Sequence, residues 1–278
     1  MHNTGGMKRA IAIALIITAT MTGVASADVG PWVTQGSDRA RPDTESQGLA
    51  TVIRGGSGQI RYTGFGTIPA DVRNRGWDHV GDPGSRLGYY VEPYQSESSR
   101  NKMFRVQAPN GTWSEYVHQR ESWELYNNSF AAISPDGRWL VSGEWGDTTR
   151  LLVYPSPGIA FTTPGQNLPY SSAIRLNRTV SDIQGCEFTT ATQLLCTSDG
   201  SGKQLLQVDL AGQLSGGDVS GNVTALGQLP LQSACSGTFE VEGVDYDVRD
   251  GTLRVIVLSP GWCVALDSKT WRFKKIGS

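Results

Sequence analysis

Histidine, cysteine and surplus positive charge are all scarce in this chain, and each shortage excludes some chemistry. It has 3 His and 4 Cys in 278 residues, with 24 Lys and Arg against 26 Asp and Glu. No positive excess is available to hold a phosphate backbone or an anionic lipid surface, so nucleic acid and membrane faces are excluded as principal partners. There is no Gly-x-Ser-x-Gly elbow, no His-Glu-x-x-His pair and no Gly-rich phosphate loop, which removes the usual signatures of serine hydrolases, zinc peptidases and nucleotide-binding enzymes. The close spacing of a zinc site, such as Cys-x-x-Cys, is missing as well.

The first 27 residues read as an address. Lys8 and Arg9 form a short positive region, Ala10 to Val24 is uncharged and mostly apolar, and Ala25-Ser26-Ala27 offers small residues to a signal peptidase. The apolar core is shorter than a membrane span and is weakened by the Thr-rich half from Thr18 to Thr22. The expectation is a secreted protein cleaved after Ala27, with no transmembrane segment after processing, whether translation starts at Met1 or Met7. No Cys follows the cleavage site and no Arg-Arg pair precedes it, so neither a lipid anchor nor the twin-arginine route is expected. Losing Lys8 and Arg9 takes the formal net charge from −2 to −4.

The cysteines suit an oxidising compartment. Cys186 and Cys196 lie symmetrically about Ala191, so a hairpin turning there sets them face to face, leaving Cys235 and Cys263 to pair.

What the chain has in quantity is turn residues. With 34 Gly and 13 Pro it is unsuited to long helices and suited to a turn-rich β protein. One phrase recurs: an apolar strand, a tight turn, a second apolar strand, then outer strands. The clearest copy runs from Phe130–Ile133 through Pro135-Asp136-Gly137 to Trp139–Val141 and Leu151–Tyr154. Turn centres at 84, 137, 191 and 251 are spaced by 53, 54 and 60 residues, a period of propellers or arrays. In the last copy Cys263–Leu266 reads as the third strand. Each unit is too small to stand alone, but radial packing would let each bury its faces on its neighbours. The expected fold is an all-β propeller of four or five blades over residues 48–278. A flexible polar segment, 28–47, precedes it, and Gln59–Thr67 is placed to pair with the last unit and close the ring. Two β-sandwich domains split near Pro155–Pro169 are the alternative.

Ser134-Pro135-Asp136-Gly137-Arg138-Trp139-Leu140 resembles the Ser-Pro-Asp-Gly-Arg hairpin of TolB-type and WD40-like propeller repeats, and Leu151–Tyr154 stands where those repeats carry their third strand. The other three copies share the pattern rather than the residues, and the Gly-His…Trp-Asp signature is absent. The resemblance implies first strands that line a central channel. On that arrangement Asp78 and Asp245 hold equivalent places near the start of a first strand, Asp182 opens the strand of the third copy, and His79 stands beside Asp78.

Asp78, His79, Asp182 and Asp245 are therefore the candidate channel-mouth site. Such a set suits a polar ligand, a divalent cation or general acid–base work. The turn aspartates Asp82, Asp136 and Asp250 are assigned to structure, and His118 to the surface of an outer strand. Trp77, Tyr89, Tyr90 and Tyr94 in the first repeat, and Trp113, Trp123 and Tyr126 before the second, serve blade packing or partner contact. The leading functional reading is a secreted, monomeric, non-enzymatic module that binds a protein or carbohydrate partner in the extracellular space or cell envelope. The alternative is an extracellular hydrolase or lyase using Asp78, Asp182 and Asp245 on a carbohydrate-like substrate. The residues alone specify no cofactor and no metal.

Overall fold

Short apolar runs punctuated by residues that tolerate positive φ reverse direction every few residues, and the result is a set of small antiparallel sheets. A computed structural model describes residues 27–96, 101–125 and 130–277. The leader, apart from Ala27, and Tyr126 lie outside the described residues.

Strand β1 (Trp32–Arg39) comes first in the chain and is placed last in space. Blade 1 is a two-stranded hairpin of β2 (Gly48–Arg54) and β3 (Ser57–Thr63), turning through Gly55-Gly56. Blade 2 has an interrupted inner strand, β4 (His79–Val80) and β5 (Gly84–Arg86), then β6 (Tyr89–Gln95), β7 (Lys102–Gln107) and β8 (Trp113–His118). Blade 3 runs β9 (Ala132–Ile133), β10 (Trp139–Ser142), β11 (Asp147–Pro155) and β12 (Ser172–Ser181). Blade 4 runs β13 (Ile183–Thr190), β14 (Gln193–Ser198), β15 (Gln204–Leu210) and β16 (Val219–Gln228). Blade 5 has β17 (Glu240–Asp247), β18 (Thr252–Leu258) and β19 (Lys269–Lys275), with β1 added as its outermost strand.

The inner strands β2, β5, β9, β13 and β17 each touch the next, and β17 returns to β2. That closed ring is a five-bladed β-propeller. Every seam between blades has its own apolar filling. Ala50 and Val52 meet Tyr90 between blades 1 and 2, and Phe104 meets Leu152 between 2 and 3. Val153 meets Phe188 between 3 and 4, Leu195 meets Val255 between 4 and 5, and Leu49 meets Ile256 where blade 5 returns to blade 1. Blades 3 and 4 are further tied at their outer edges, where β12 and β16 pair in parallel from Ile174–Val219 to Leu176–Gly221.

Several expectations change. Residues 28–47 include the closing strand: β1 pairs with β19, Trp32 opposite Lys275 and Arg39 opposite Lys269. It reads as polar because it is an edge strand with one buried tryptophan and few other buried side chains. Gln59–Thr67 does not close the ring; β3 completes the blade 1 hairpin instead. Asp82-Pro83-Gly84 is no turn but the interruption inside the inner strand of blade 2. The reversal comes at Leu87-Gly88, both at positive φ (53° and 79°), as a two-residue primed hairpin turn requires. Cys263 ends a 3-10 turn (Gly261–Cys263) and leads into a short helix, Val264–Asp267, so the third strand of blade 5 is β19. The sandwich alternative fails because residues 156–171 join β11 to β12 within one blade.

Both expected disulfides are present, Cys186–Cys196 across the β13–β14 hairpin and Cys235–Cys263. Asp136 and Asp250 do hold turns, accepting hydrogen bonds from the backbone N–H of Arg138 (3.1 Å) and Thr252 (2.8 Å). His118 differs from expectation. Strand alternation turns it inward with Tyr116, where its ring is fully buried. Its Nδ1 lies 2.7 Å from the Leu168 carbonyl and its Nε2 2.7 Å from Glu124, whose other oxygen accepts from the buried Lys102 ammonium at 2.8 Å.

Candidate functional site

The axis of the ring is occupied by Asp82. Its Oδ1 accepts the Leu49 N–H (3.0 Å) of blade 1 and its Oδ2 the Val244 N–H (3.1 Å) of blade 5. Its backbone carbonyl accepts the Ala131 N–H (3.0 Å) of blade 3. A Cβ on Gly185 of blade 4 would sit 2.3 Å from Oδ2, and one on Gly48 or Gly243 would also collide with Asp82. Counting its own blade, this one residue touches all five. Glycine is required at 48, 185 and 243 because the carboxyl fills the space a side chain would take. Burial pushes the Asp82 carboxyl well above its ordinary range, an effect the two amides partly oppose. The channel is thus blocked at its waist, leaving one hollow at each end.

At the end where the inner strands finish, the hollow is only about 40 Å3 and its charges are engaged with one another. Asp245 accepts from the Thr51 N–H (2.8 Å), the Thr51 hydroxyl (2.7 Å) and Arg254 (2.8 Å). Asp247 is paired with Arg249 at 2.7 Å. Glu187 lies 3.5 Å from Arg86, yet burial pushes its carboxyl up to about 8.

At the end where the inner strands begin, the hollow is about 420 Å3, lined by Gln47, Phe65, His79, Gly81, Trp145, Gln184, Asp199, Glu240 and Glu242. Phe65 stacks edge-on to the His79 ring, with centroids 5.3 Å apart. Asp199 is held by Lys203 (2.6 Å) and by the Val241 N–H (2.6 Å). Glu242 is different. It is 5 % exposed, its backbone carbonyl accepts from the Thr197 hydroxyl at 2.6 Å, and no hydrogen bond or ion pair from a described residue reaches its carboxyl. Burial pushes that carboxyl well above the usual range, the neighbouring Glu240, Asp199 and Asp82 add to the push, and Lys203, which is paired with Asp199, opposes it.

Among the expected site residues, His79 lines this larger cup and Asp78 stands exposed next to it. Asp182 is near the same end, in a left-handed conformation (φ 52°), its carbonyl accepting the Asp199 N–H at 2.7 Å. Asp245 is at the opposite end, beyond the Asp82 block. The two-carboxylate chemistry that would use Asp78, Asp182 and Asp245 together therefore loses one member. Among the described residues, no group of three or more His, Cys, Asp or Glu side chains is arranged to hold a metal ion.

Sequence reasoning missed Glu240, Glu242, Gln184 and Trp145. A signal existed for the acids: Glu240-Val241-Glu242 has the period-2 alternation of a strand extending four residues before Val244. The aromatic clusters are mostly packing, with Trp77, Tyr90 and Tyr94 buried.

No family model and no curated protein sequence matches this chain. A solved structure does resemble it. The β-propeller domain of Cps50 (Swd1) from Myceliophteria thermophila aligns with a TM-score of 0.35 and 10% identity, over 82% of this chain and 54% of that one. The present chain thus spans about half the length of the propeller it matches, and the fold assignment rests on the strand topology above.

A larger hollow, about 610 Å3, lies on the rim of blade 2 between β8 and Pro164–Asn167. Its charged groups are already engaged: Arg105 stacks on Trp113 at 3.8 Å, and Glu115 receives two hydrogen bonds from Arg75. The axial cup, with its unpaired buried acid, is the better candidate.

Proposed function

We propose that this chain is a secreted, non-enzymatic binding module that receives its partner at the axial cup where the inner strands begin. The observation that carries this reading is Glu242, a buried carboxyl lining a sizeable cavity with no hydrogen-bond or ion-pair partner among the described residues. A fold stabilised only for its own sake would pair or exclude such a group, since a lone buried acid costs stability. Around it, Gln47, Gln184 and His79 supply hydrogen-bonding groups and Phe65 and Trp145 supply flat apolar surface, a mixture typical of recognition sites. On this reading the leader is removed after Ala27, residues 28–278 act as one monomeric unit that includes the closing strand β1, and the partner is a protein or carbohydrate outside the cell or in its envelope. The two disulfides suit that destination, and no helix among the described residues is long and apolar enough to cross a membrane.

The test is capture by the immobilised mature chain from culture supernatant and cell-wall fractions, run beside Trp145→Ala. Trp145 is 51 % exposed, so its loss should leave folding intact. The expected result is a retained partner that the variant releases. A chain that retains nothing, but turns over an offered glycan in a manner abolished by Asp78→Asn and Asp182→Asn, would replace this reading with the hydrolytic one.

A further inference from the structure

We propose that the axial cup is a receptor for an organic cation, an alkylammonium or guanidinium group seated against Glu242 and Glu240 beside Trp145. The inference rests on the binding role proposed above and specifies its chemistry.

Three carboxyl groups line the cup, from Asp199, Glu240 and Glu242, and no Lys or Arg is among the described lining residues. Asp199 is satisfied by Lys203 and the Val241 amide, which leaves Glu240 exposed at the rim and Glu242 buried behind it. A buried acid without a partner either keeps its proton or awaits a cation. A cation seated against Glu242 would give the carboxyl the charge-assisted hydrogen bonds it lacks among the described residues, releasing any proton the acid holds as it binds. Trp145 and Phe65, at 51 % and 45 % exposed, offer ring surface to the same cavity, and an aromatic face attracts a cation and covers its apolar stem.

The alternatives fit less well. An anion would face three carboxyl groups, of which only that of Asp199 is paired with a cation, and a metal ion would need a ligand cluster that does not occur among the described residues. A volume of about 420 Å3 admits a small amine or the end of one Lys or Arg side chain from a polypeptide. These two sources present the same chemistry.

The experiment titrates the mature full-length chain by calorimetry with four probes. These are agmatine, the peptide acetyl-Gly-Arg-Gly-amide, its citrulline counterpart as an uncharged isostere, and acetyl-Gly-Glu-Gly-amide. The expected result is that agmatine or the arginine peptide binds about tenfold or more tighter than the citrulline peptide, and the acidic peptide does not bind. Agmatine alone would identify a small amine, and the arginine peptide alone a polypeptide side chain. Glu242→Gln should weaken the cation about tenfold or more, and Trp145→Ala and Glu240→Gln should each weaken it about threefold or more. The last two are surface changes, so the test survives if Glu242→Gln fails to fold. Equal affinity for the arginine and citrulline peptides, preference for the acidic one, cation binding indifferent to all three variants, or no binding of any probe would overturn the proposal. A neutral or acidic probe that binds and is lost in Trp145→Ala would remove the cation assignment and leave the binding role standing. The capture experiment judges that role separately.

Discussion

Replacing Asp82 asks how far one side chain holds the ring together. Asp82→Ala strands the Leu49 and Val244 amides at the axis with no acceptor, and each unsatisfied buried N–H costs about 1–3 kcal/mol. With a small cavity added, the expected loss is about 3–5 kcal/mol. Asp82→Asn keeps one acceptor and turns an NH2 group toward the other amide, for a loss of about 1–3 kcal/mol. The wild-type carboxyl is raised by burial above its ordinary value of 3.8. A raised acid stabilises the fold fully below its unfolded pKa and loses that contribution as pH rises through the folded value, so the alanine penalty should be larger at pH 5 than at pH 8. Guanidinium unfolding followed by tryptophan fluorescence reads these differences directly. In thermal scans each kcal/mol corresponds to about 2–4 °C for a chain of this size. An alanine variant within about 0.5 kcal/mol of wild type at pH 5 would refute the reasoning, because the axis would then be held by the blades alone.

Two further perturbations address other parts of the ring. Glu187, pushed up from 4.5 to about 8 by burial, binds a proton in the folded state that the unfolded chain has already released. Wild-type stability should therefore fall across that pH interval by something on the order of 4 kcal/mol and level off above it, while Glu187→Gln should remove the fall. Parallel pH profiles for the two proteins would mean that Glu187 is ionised beside Arg86 throughout. Trp32, 3 % exposed and edge-on to Tyr246 at 6.1 Å, anchors the closing strand, so Trp32→Ala should cost about 3–5 kcal/mol. Hydrogen exchange should show β19 losing protection before blades 2 to 4, and equal loss everywhere would show that closure is not a local event.

The architecture was largely legible because hairpins with strong turn chemistry repeat at an even period. Pro135-Asp136-Gly137 and Asp250-Gly251 mark true reversals, and the spacing of Cys186 and Cys196 marks a third. The first repeat misled for a physical reason. Asp82-Pro83-Gly84 has turn-like composition, but Asp82 is spent on amides from other blades, contacts that no local window contains. The actual reversal at Leu87-Gly88 uses a leucine at positive φ, which propensity does not anticipate. The second strand of blade 1 was assigned to closing the ring because a two-stranded hairpin carries half the usual phrase, and β1 was missed because an outermost strand needs few apolar residues. The site was legible in part. His79 lines the cup, while Asp245 went to the far end because sequence alignment gives no depth along the axis. Glu242 stayed hidden because it lies before the stretch that the turn marked as strand.

The clasp between β1 and β19 has a consequence for how the molecule is made. Among the described strands the earliest in the chain has the latest as its mate, so a product that stops before Lys269 leaves β1 as a loose flap beside an unfinished wedge. The ring is therefore fastened only once β19 is in place to receive β1. Because Trp32 and Lys275 sit across from each other, the chain enters β1 and leaves β19 at the same place on blade 5.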